Sequence, residues 1–279
     1  MSESVIKSPS KINIGLNILE KREDGYHNIE TIFYPLDLYD ELFFEEAGEY
    51  SFTSNDEQLN KEPTNLITKA KELLESLSKI KLNIKIRLHK NIPIGAGLGG
   101  GSSNAAATLL ALNDLYNLNI SKNDLSKLAL KLGSDVPFFL NPVPSFAESR
   151  GEILFPIKMQ IKSYILIVNP GIHISTKWAF SMITPGFAET GLKSIIQHNN
   201  STMDDIMKIA VNDFEKIVFK HFPPINEIKN DMLRFGAKYS LMTGTGSTVW
   251  GIFEEDDSVK KAELFFRSKN YFTFIQIPI

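Results

Sequence analysis

The sequence predicts an α+β protein of two domains. Apolar and polar residues alternate at 11–18 and again at 82–88, and this period of two is typical of half-buried strands. Amphipathic helical segments such as 65–77 are interleaved with these strands. Prolines punctuate residues 141–156, so we place the junction there and predict domains at 1–155 and 156–279.

Turn and cap residues delimit the elements of the first domain. Asp24-Gly25 predicts a turn, Ser121 a helix N-cap and Gly133 a helix end, and Pro137 suits the first turn of a further helix. The predicted strands of this domain lie at 11–18, 28–34, 40–44, 50–53 and 82–88. Its predicted helices lie at 65–77, at 103–116, from Ser121 to Gly133, and from about Ser134.

The second domain begins with a wholly apolar run at 164–168, which predicts a buried strand that ends at Asn169-Pro170-Gly171. Its other predicted strands lie at 239–242, 248–253 and 272–277. Its predicted helices lie at 177–182, 202–209, 213–220, 224–235 and 258–269.

Composition excludes several classes of function. The chain has 279 residues, a formal net charge of −3 and no cysteine. The charge gives no global basic field for nucleic acid, and the lack of cysteine excludes disulfides, thiol catalysis and cysteine-bound metal. No apolar run approaches the roughly 20 residues that span a bilayer, and residues 1–10 lack a signal pattern. We therefore expect a cytoplasmic protein with no membrane and no nucleic-acid partner.

The most informative segment is the glycine-rich stretch 93–107, PIGAGLGGGSSNAAA, in which five of the seven residues 95–101 are glycine. Glycine lets the backbone approach a ligand closely, because it has no Cβ and tolerates positive φ. The helix predicted behind the loop offers N–H groups and the positive end of its dipole. Together these features predict a phosphate-binding loop.

Two well-known phosphate motifs match this loop in letters but not in context. The dinucleotide pattern G-x-G-x-x-G requires a second strand after the helix, whereas residues 117–120 lead directly into another helix. The P-loop pattern requires a lysine where this chain has Gly101. A cation for the phosphates must therefore come from elsewhere in the chain.

Three motifs together resemble those of the GHMP kinases, the family of galactokinase, homoserine kinase, mevalonate kinase and phosphomevalonate kinase. They are SPSKIN at 8–13, the glycine loop, and MTGTGS at 242–247. The resemblance implies the two-domain GHMP kinase fold, with an N-terminal domain like domain 2 of ribosomal protein S5 and a ferredoxin-like C-terminal domain. It also implies ATP as the phosphoryl donor, accompanied by Mg²⁺ whose protein ligand stays open.

Within the family, DGYH at 24–27 and GSDVPFF at 133–139 are similar to one branch. That branch uses ATP to phosphorylate the 2-hydroxyl of a CDP-linked methylerythritol, a small molecule of the non-mevalonate isoprenoid pathway. Another small-molecule kinase of the family, or a non-catalytic nucleotide-binding module, remain as alternatives. The chain is expected to be a monomer or a weak homodimer.

The resemblance makes Asp135 and Lys11 the catalytic residues. An alcohol nucleophile needs a carboxylate to accept its proton, which is the role of Asp135, and Lys11 would stabilise charge on the transferring phosphoryl group. A helix cap is the alternative role for Asp135, and a solvated strand lysine is the alternative for Lys11.

The resemblance also assigns binding residues. The residues expected to hold ATP are Pro93, Ile94, Gly95, Ala96, Gly97, Leu98, Gly99, Gly100, Gly101, Ser102, Ser103 and Asn65. Helix capping is an equally good role for Asn65. The residues expected to bind the phosphoryl acceptor are Asn13, Tyr26, His27, Asp135, Phe180 and Gly244.

The sequence bears on these assignments at three further points. Asn13 shares a strand face with Lys11, so it can reach the same ligand. Trp178 rivals Phe180 as a stacking aromatic. Ser149 stands where the family commonly has a glycine in a Phe-Ala-x-Gly-x-Gly-Glu segment, which leaves the local turn open.

Overall fold

The computed structural model describes residues 3–62, 64–184, 191–197 and 202–278. These residues form two compact units that are interleaved along the chain. Unit 1 consists of the described residues of Met1–Ser10, Asp37–Ile94 and Gly99–Pro142. Unit 2 consists of those of Lys11–Leu36, Gly95–Leu98 and Val143–Ile279.

Strands and helices are mixed along the described chain, as the sequence predicts. The strands are β1 Ser4–Lys21, β2 His27–Glu46, β3 Ser51–Ser54, β4 Ile84–His89, β5 Ser145–Glu148, β6 Ile153–Pro156, β7 Tyr164–Asn169, β8 Tyr239–Met242, β9 Val249–Phe253 and β10 Phe272–Gln276. The helices are α1 Glu57–Lys61, α2 Leu66–Ser78, α3 Gly100–Leu115, α4 Lys122–Leu132, α5 Val136–Phe139, α6 Thr176–Met182, α7 Leu192–Gln197, α8 Met203–Ile209, α9 Glu215–His221, α10 Pro223–Arg234 and α11 Asp256–Ser268.

Unit 1 combines a sheet with a group of helices. The C-terminal half of β2 pairs antiparallel with β4, with Leu42 opposite Leu88, and β3 adds parallel to β4. Helices α2 and α4 pack on α3, and most of the small and aliphatic residues of α3 are buried. The alternation predicted at 82–88 is confirmed, because β4 buries Ile84, Ile86 and Leu88 and exposes the residues between them.

Unit 2 contains a four-stranded antiparallel sheet in the order β10-β7-β9-β8. Its core joins α10 and α11 to this sheet through residues such as Ile228, Met232, Phe266 and Phe253. In the same unit the N-terminal half of β2 pairs with β5, and β5 pairs with β6. β1 pairs with β2.

One strand prediction needs correction, and strands lie within the predicted junction. The separate strands predicted at 28–34 and 40–44 are one strand, β2, because Pro35 lies outside the ladders that β5 and β4 form with it and breaks neither. The segment 141–156, predicted as a junction, contains the hairpin strands β5 and β6. Its prolines lie before β5 and at the end of β6, where they interrupt no ladder interior. The domain boundary at 155/156 stays a prediction.

Two short helices, α1 and α7, lie in segments for which the sequence predicts no element. α1 is capped by the side chain of Asp56, which accepts hydrogen bonds from the backbone N–H groups of Gln58 and Leu59. None of the described helices is long and apolar enough to cross a lipid bilayer.

Candidate active site

The glycine loop leads into α3 in unit 1, and the helix begins earlier than predicted. Gly99 adopts a left-handed conformation with φ +72° immediately before the helix, and α3 starts at Gly100 rather than near Ser103. A Cβ at Gly100 would lie 2.9 Å from Nζ of Lys90, so the helix starts with a residue that has no side chain. Gly99 supplies no side-chain cap, which leaves the first-turn N–H groups suited to an anion.

The first and second motifs meet in unit 1 through buried hydroxyl and amide groups. The Ser8 hydroxyl lies 2.7 Å from the hydroxyl of Ser103 and 2.8 Å from Oδ1 of Asn104. All three residues are buried. These contacts fix the start of β1 against the first turns of α3, since buried polar groups without partners are costly.

A buried ion pair shapes the turn before the loop, and sequence reasoning missed it. The carboxylate of Asp40 accepts hydrogen bonds from the backbone N–H groups of Asn91 and Ile92 and pairs with Lys90. Burial holds the pKa of Lys90 below its ordinary value, and the charge of Asp40 opposes that shift. The two residues are 50 positions apart in the sequence, and no local pattern marks them as partners.

Two predicted site residues of unit 1 lie at helix N-termini, and only one of them caps its helix. The side chain of Asn65 accepts a hydrogen bond from the N–H of Thr68 at 2.9 Å, so its capping role is confirmed. Asp135 precedes α5 but makes no capping hydrogen bond with its side chain, so a capping role for it is wrong. Its carboxylate, which is partly buried, is therefore not committed to the helix end.

In unit 2, Lys11 and Asn13 point the same way along β1, as the period of two predicts. Nζ of Lys11 donates a hydrogen bond to Oδ1 of Asn13 at 2.7 Å, and each residue is only 3% exposed. The alternative of a solvated strand lysine is therefore wrong. A buried lysine is rare in proteins and is retained where its charge has a partner or a task.

The three predicted motifs converge in unit 2 at Thr243. Its hydroxyl accepts a hydrogen bond from the backbone N–H of Asn13 at 2.9 Å and lies 3.2 Å from the carbonyl oxygen of Gly97. The backbone N–H of Lys11 donates to the carbonyl of Leu98 at 3.0 Å. Gly97 and Gly244 lie so close that a Cβ on Gly244 would be 3.2 Å from Cα of Gly97. Glycine is therefore required in both loops by close approach.

A second group of residues that sequence reasoning missed lies at the start of α9 and just before it. The side-chain amide of Asn212 donates to the carbonyls of Met242 and Gly244 at 2.8 and 2.9 Å. Glu215 accepts from the N–H of Met242 at 2.8 Å, and Asp213 accepts from the N–H of Ile18 at 2.7 Å. This segment thus holds both β1 and the third motif. The sequence signal would have been three closely spaced polar residues that precede or open a helix.

Replacing Asn212 with alanine is expected to lower the free energy of unfolding by about 1–3 kcal/mol, because it leaves the buried carbonyl of Met242 and the partly buried carbonyl of Gly244 without this donor. Urea denaturation at neutral pH measures the change. Asn230→Ala is the matched control, since Asn230 is exposed on α10. Equal stability of the two variants would contradict the role given to Asn212.

The predicted aromatic residues of the acceptor site also lie in unit 2. The rings of His27 and Phe180 are stacked, with centroids 5.2 Å apart and planes 27° apart. Phe180 packs edge-on against Phe214. Trp178, the rival of Phe180, packs instead against His221 and Phe222. The structure therefore brings Phe180, not Trp178, beside His27.

Burial lowers the pKa of His27 below its ordinary value of 6.5, and the nearby charge of Lys21 acts in the same direction. His27 is therefore neutral at pH 7, with one ring nitrogen able to donate and the other to accept a hydrogen bond.

The stability of the folded chain should consequently fall as the pH drops below 6.5. Between the ordinary pKa of 6.5 and the lower pKa of the folded chain, His27 is protonated in the unfolded chain and neutral in the folded chain. Acid therefore favours unfolding in this pH range. His27→Phe keeps an aromatic ring against Phe180 but has no proton to bind. Urea unfolding at pH 7.5, 6.5 and 5.5 measures the free energy of unfolding. This free energy should fall less with decreasing pH in the variant than in the unaltered chain, and an equal fall in both would contradict the prediction.

The predicted residues are divided between the units. Unit 1 contains Asp135, Asn65, Pro93, Ile94 and residues 99–103. Unit 2 contains Lys11, Asn13, Tyr26, His27, Phe180, Gly244 and residues 95–98. Within the described residues, no group of three or more histidine or acidic side chains is arranged to hold a metal ion.

Comparison with known proteins decides the family. A model of the GHMP kinases N terminal domain matches residues 65–141, and a model of the GHMP kinases C terminal region matches residues 192–271. A protein of Bacteroides fragilis named 4-diphosphocytidyl-2-C-methyl-D-erythritol kinase is 41% identical over 260 residues, which are 91% of this chain and 93% of that protein. The chain belongs to the GHMP kinase family. Both the predicted resemblance and the predicted kinase class are thereby confirmed.

Other relatives of this GHMP kinase carry the same name. One from Chlorobium phaeobacteroides is 40% identical over 271 residues, covering 96% of this chain and 95% of the relative. A crystal structure of 4-(cytidine 5'-diphospho)-2C-methyl-D-erythritol kinase matches with a TM-score of 0.81 and 30% identity, over 98% of each chain.

More distant neighbours share the fold. Homoserine kinase from Cytophaga hutchinsonii matches with a TM-score of 0.76 at 15% identity, over the whole of this chain and 95% of that one. The predicted two-domain GHMP kinase fold is confirmed. The two family matches lie on either side of the predicted boundary at 155/156.

Proposed function

We propose that this chain transfers the γ-phosphoryl group of ATP to the 2-hydroxyl of 4-diphosphocytidyl-2-C-methyl-D-erythritol, a step of the non-mevalonate isoprenoid pathway. Near full-length similarity to kinases of that name supports the substrate. The observation that carries the chemistry is the buried hydrogen bond between Lys11 and Asn13, both held next to the glycine motifs. A buried ammonium group so placed is suited to a phosphoryl group in transfer.

In this proposal Asp135 accepts the proton of the 2-hydroxyl as the oxygen attacks the γ-phosphorus. Its side chain has no capping role at α5, which supports a chemical one. Lys11 stabilises the negative charge that spreads over the transferring phosphoryl oxygens. Such an electrostatic contribution is large where water is excluded, and Lys11 is almost wholly buried.

The glycine loop 93–103 binds ATP through backbone N–H groups in this scheme. The start of α3 at Gly100, behind the left-handed Gly99, supports that role. Mg²⁺ would neutralise charge on the polyphosphate when bound. In nucleotide sites Mg²⁺ usually keeps several waters and is bound by substrate phosphates with one or two carboxylates.

In this proposal the cytosine ring of the acceptor is bound by Tyr26, His27 and Phe180. Asn13 and Gly244 also bind the acceptor. His27 suits the polar edge of a base because it is neutral and can both donate and accept. An aromatic ring suits the base's face. We also propose a cytoplasmic location, which the absence of cysteine supports, and a monomer or weak homodimer.

The test measures ADP release by the purified chain with ATP, Mg²⁺ and each of four acceptors. Turnover is expected with 4-diphosphocytidyl-2-C-methyl-D-erythritol and not with mevalonate, homoserine or galactose. Phosphorus NMR of the product should place the new phosphate on the 2-hydroxyl. Turnover with only one of the other acceptors would replace the proposed substrate, and ATP binding without any turnover would favour a non-catalytic nucleotide-binding module.

A further inference from the structure

One network in unit 2 forms the turn at Ser149, which the sequence alone leaves open. Ser149 adopts φ +63°, the left-handed conformation that favours glycine. Its hydroxyl accepts a hydrogen bond from Nη1 of Arg22 at 2.7 Å and lies 3.0 Å from Oε1 of Glu152. Its carbonyl accepts from the N–H of Ile29 at 2.7 Å. The turn is therefore fixed by side-chain contacts of Ser149 that a glycine could not make.

The same network presents the next residue, Arg150, to the ring of Tyr26. Glu152 accepts a hydrogen bond from the backbone N–H of Arg150 at 2.7 Å and lies near its guanidinium, with Nε and Oε1 3.9 Å apart. The guanidinium carbon lies 4.2 Å from the centroid of the Tyr26 ring. The arginine side chain is only 18% exposed, so it is held in place rather than extended into water.

Tyr26 is fixed from its backbone side as well. Asp24 accepts a hydrogen bond from the N–H of Tyr26 at 3.1 Å, and Arg22 bridges Asp24, Asn28 and Ser149. Yet 51% of Tyr26 remains exposed. Since Arg150 covers one face of the ring, this exposed surface leaves the other face available. A rigid, half-exposed aromatic ring backed by a cation is a platform for a flat ligand.

We propose that Arg150 is a positioning residue for nucleobase recognition, which holds the ring of Tyr26 so that its open face stacks on the cytosine of the substrate. This inference rests on the proposed function. The neighbouring residue His27, buried and stacked on Phe180, supplies hydrogen-bonding groups next to the platform.

The test replaces Arg150 by methionine and measures CDP binding by calorimetry together with steady-state kinetics. CDP affinity is expected to fall, and the acceptor KM to rise, by about two- to fivefold, the factor that corresponds to an exposed cation–π contact of about 0.5–1 kcal/mol. The kcat and the KM for ATP should not change. Arg150→Lys should show a smaller loss, because an ammonium group keeps the charge without the planar stack.

A double-mutant cycle separates positioning from general structural damage. In a Tyr26→Leu background, Arg150→Met should cause no further loss of CDP affinity, since the ring on which it acts is gone. Arg234→Met is the matched control, because Arg234 also lies over aromatic rings, Phe235 and Phe265, elsewhere in unit 2. It should leave CDP binding unchanged.

Unchanged CDP affinity in Arg150→Met would overturn the inference, as would an equal loss in the presence and absence of the Tyr26 ring. The proposed function fails separately. If the unaltered chain binds CDP in an Arg150-dependent manner but does not phosphorylate the CDP-linked acceptor, the positioning role stands and the proposed reaction does not.

Discussion

Replacing Asp135 with asparagine is expected to reduce kcat by about 10²–10⁴-fold, the usual contribution of a general base. Asparagine has nearly the same shape as aspartate but cannot accept the proton of the attacking hydroxyl. Since the side chain of Asp135 does not cap α5, the substitution removes no helix-capping contact. ADP release under saturating ATP and acceptor measures kcat, and calorimetry should show ATP binding within about twofold of the unaltered chain.

Asp257→Asn serves as the control for Asp135. Asp257 is also an acidic residue at the start of a helix, α11, but it is exposed and outside the predicted site. The control should keep full activity. If Asp135→Asn retains kcat within about threefold, Asp135 is not the base. A parallel loss of ATP binding and thermal stability would instead indicate that the carboxylate is needed for folding.

Local sequence patterns predicted the parts of the site that depend on one segment of chain. The period of two placed Lys11 and Asn13 on one face of β1, because strand geometry alone decides that relation. The glycine loop was visible because its chemistry is concentrated in seven residues. The same pattern did not show that the polar face of β1 would be buried, since burial depends on what packs against it.

The residues that sequence reasoning missed act through partners far along the chain. Asn212 reaches carbonyls about 30 positions away, and Asp40 holds a turn about 50 positions away. Neither carries a local signature, because an asparagine or aspartate in isolation is typical of an exposed loop. The start of α3 was misplaced for a related reason. Glycine is a poor helix former, but the contacts with Lys90 and Ile92 leave little room for a side chain at Gly100.

Replacing Gly97 with alanine is expected to lower the free energy of unfolding by roughly 2–6 kcal/mol and to raise the KM for ATP. Two separate costs contribute. Gly97 has φ +78°, where a Cβ costs about 1–3 kcal/mol. The new Cβ would also overlap the backbone carbonyl of Thr243, and such overpacking typically costs 1–3 kcal/mol.

Gly171→Ala carries the first cost alone, because Gly171 has nearly the same φ, +75°, and nothing lies within 4 Å of its Cβ position. Urea unfolding of both variants therefore separates backbone strain from steric overlap. In Gly97→Ala, but not in Gly171→Ala, the steric overlap should displace Thr243, whose hydroxyl lies between Gly97 and Asn13. Because Asn13 in turn accepts the hydrogen bond of Lys11, loss of activity should exceed what lower stability alone explains. Equal behaviour of the two variants would mean that the close approach of the glycine loops is not what positions Lys11.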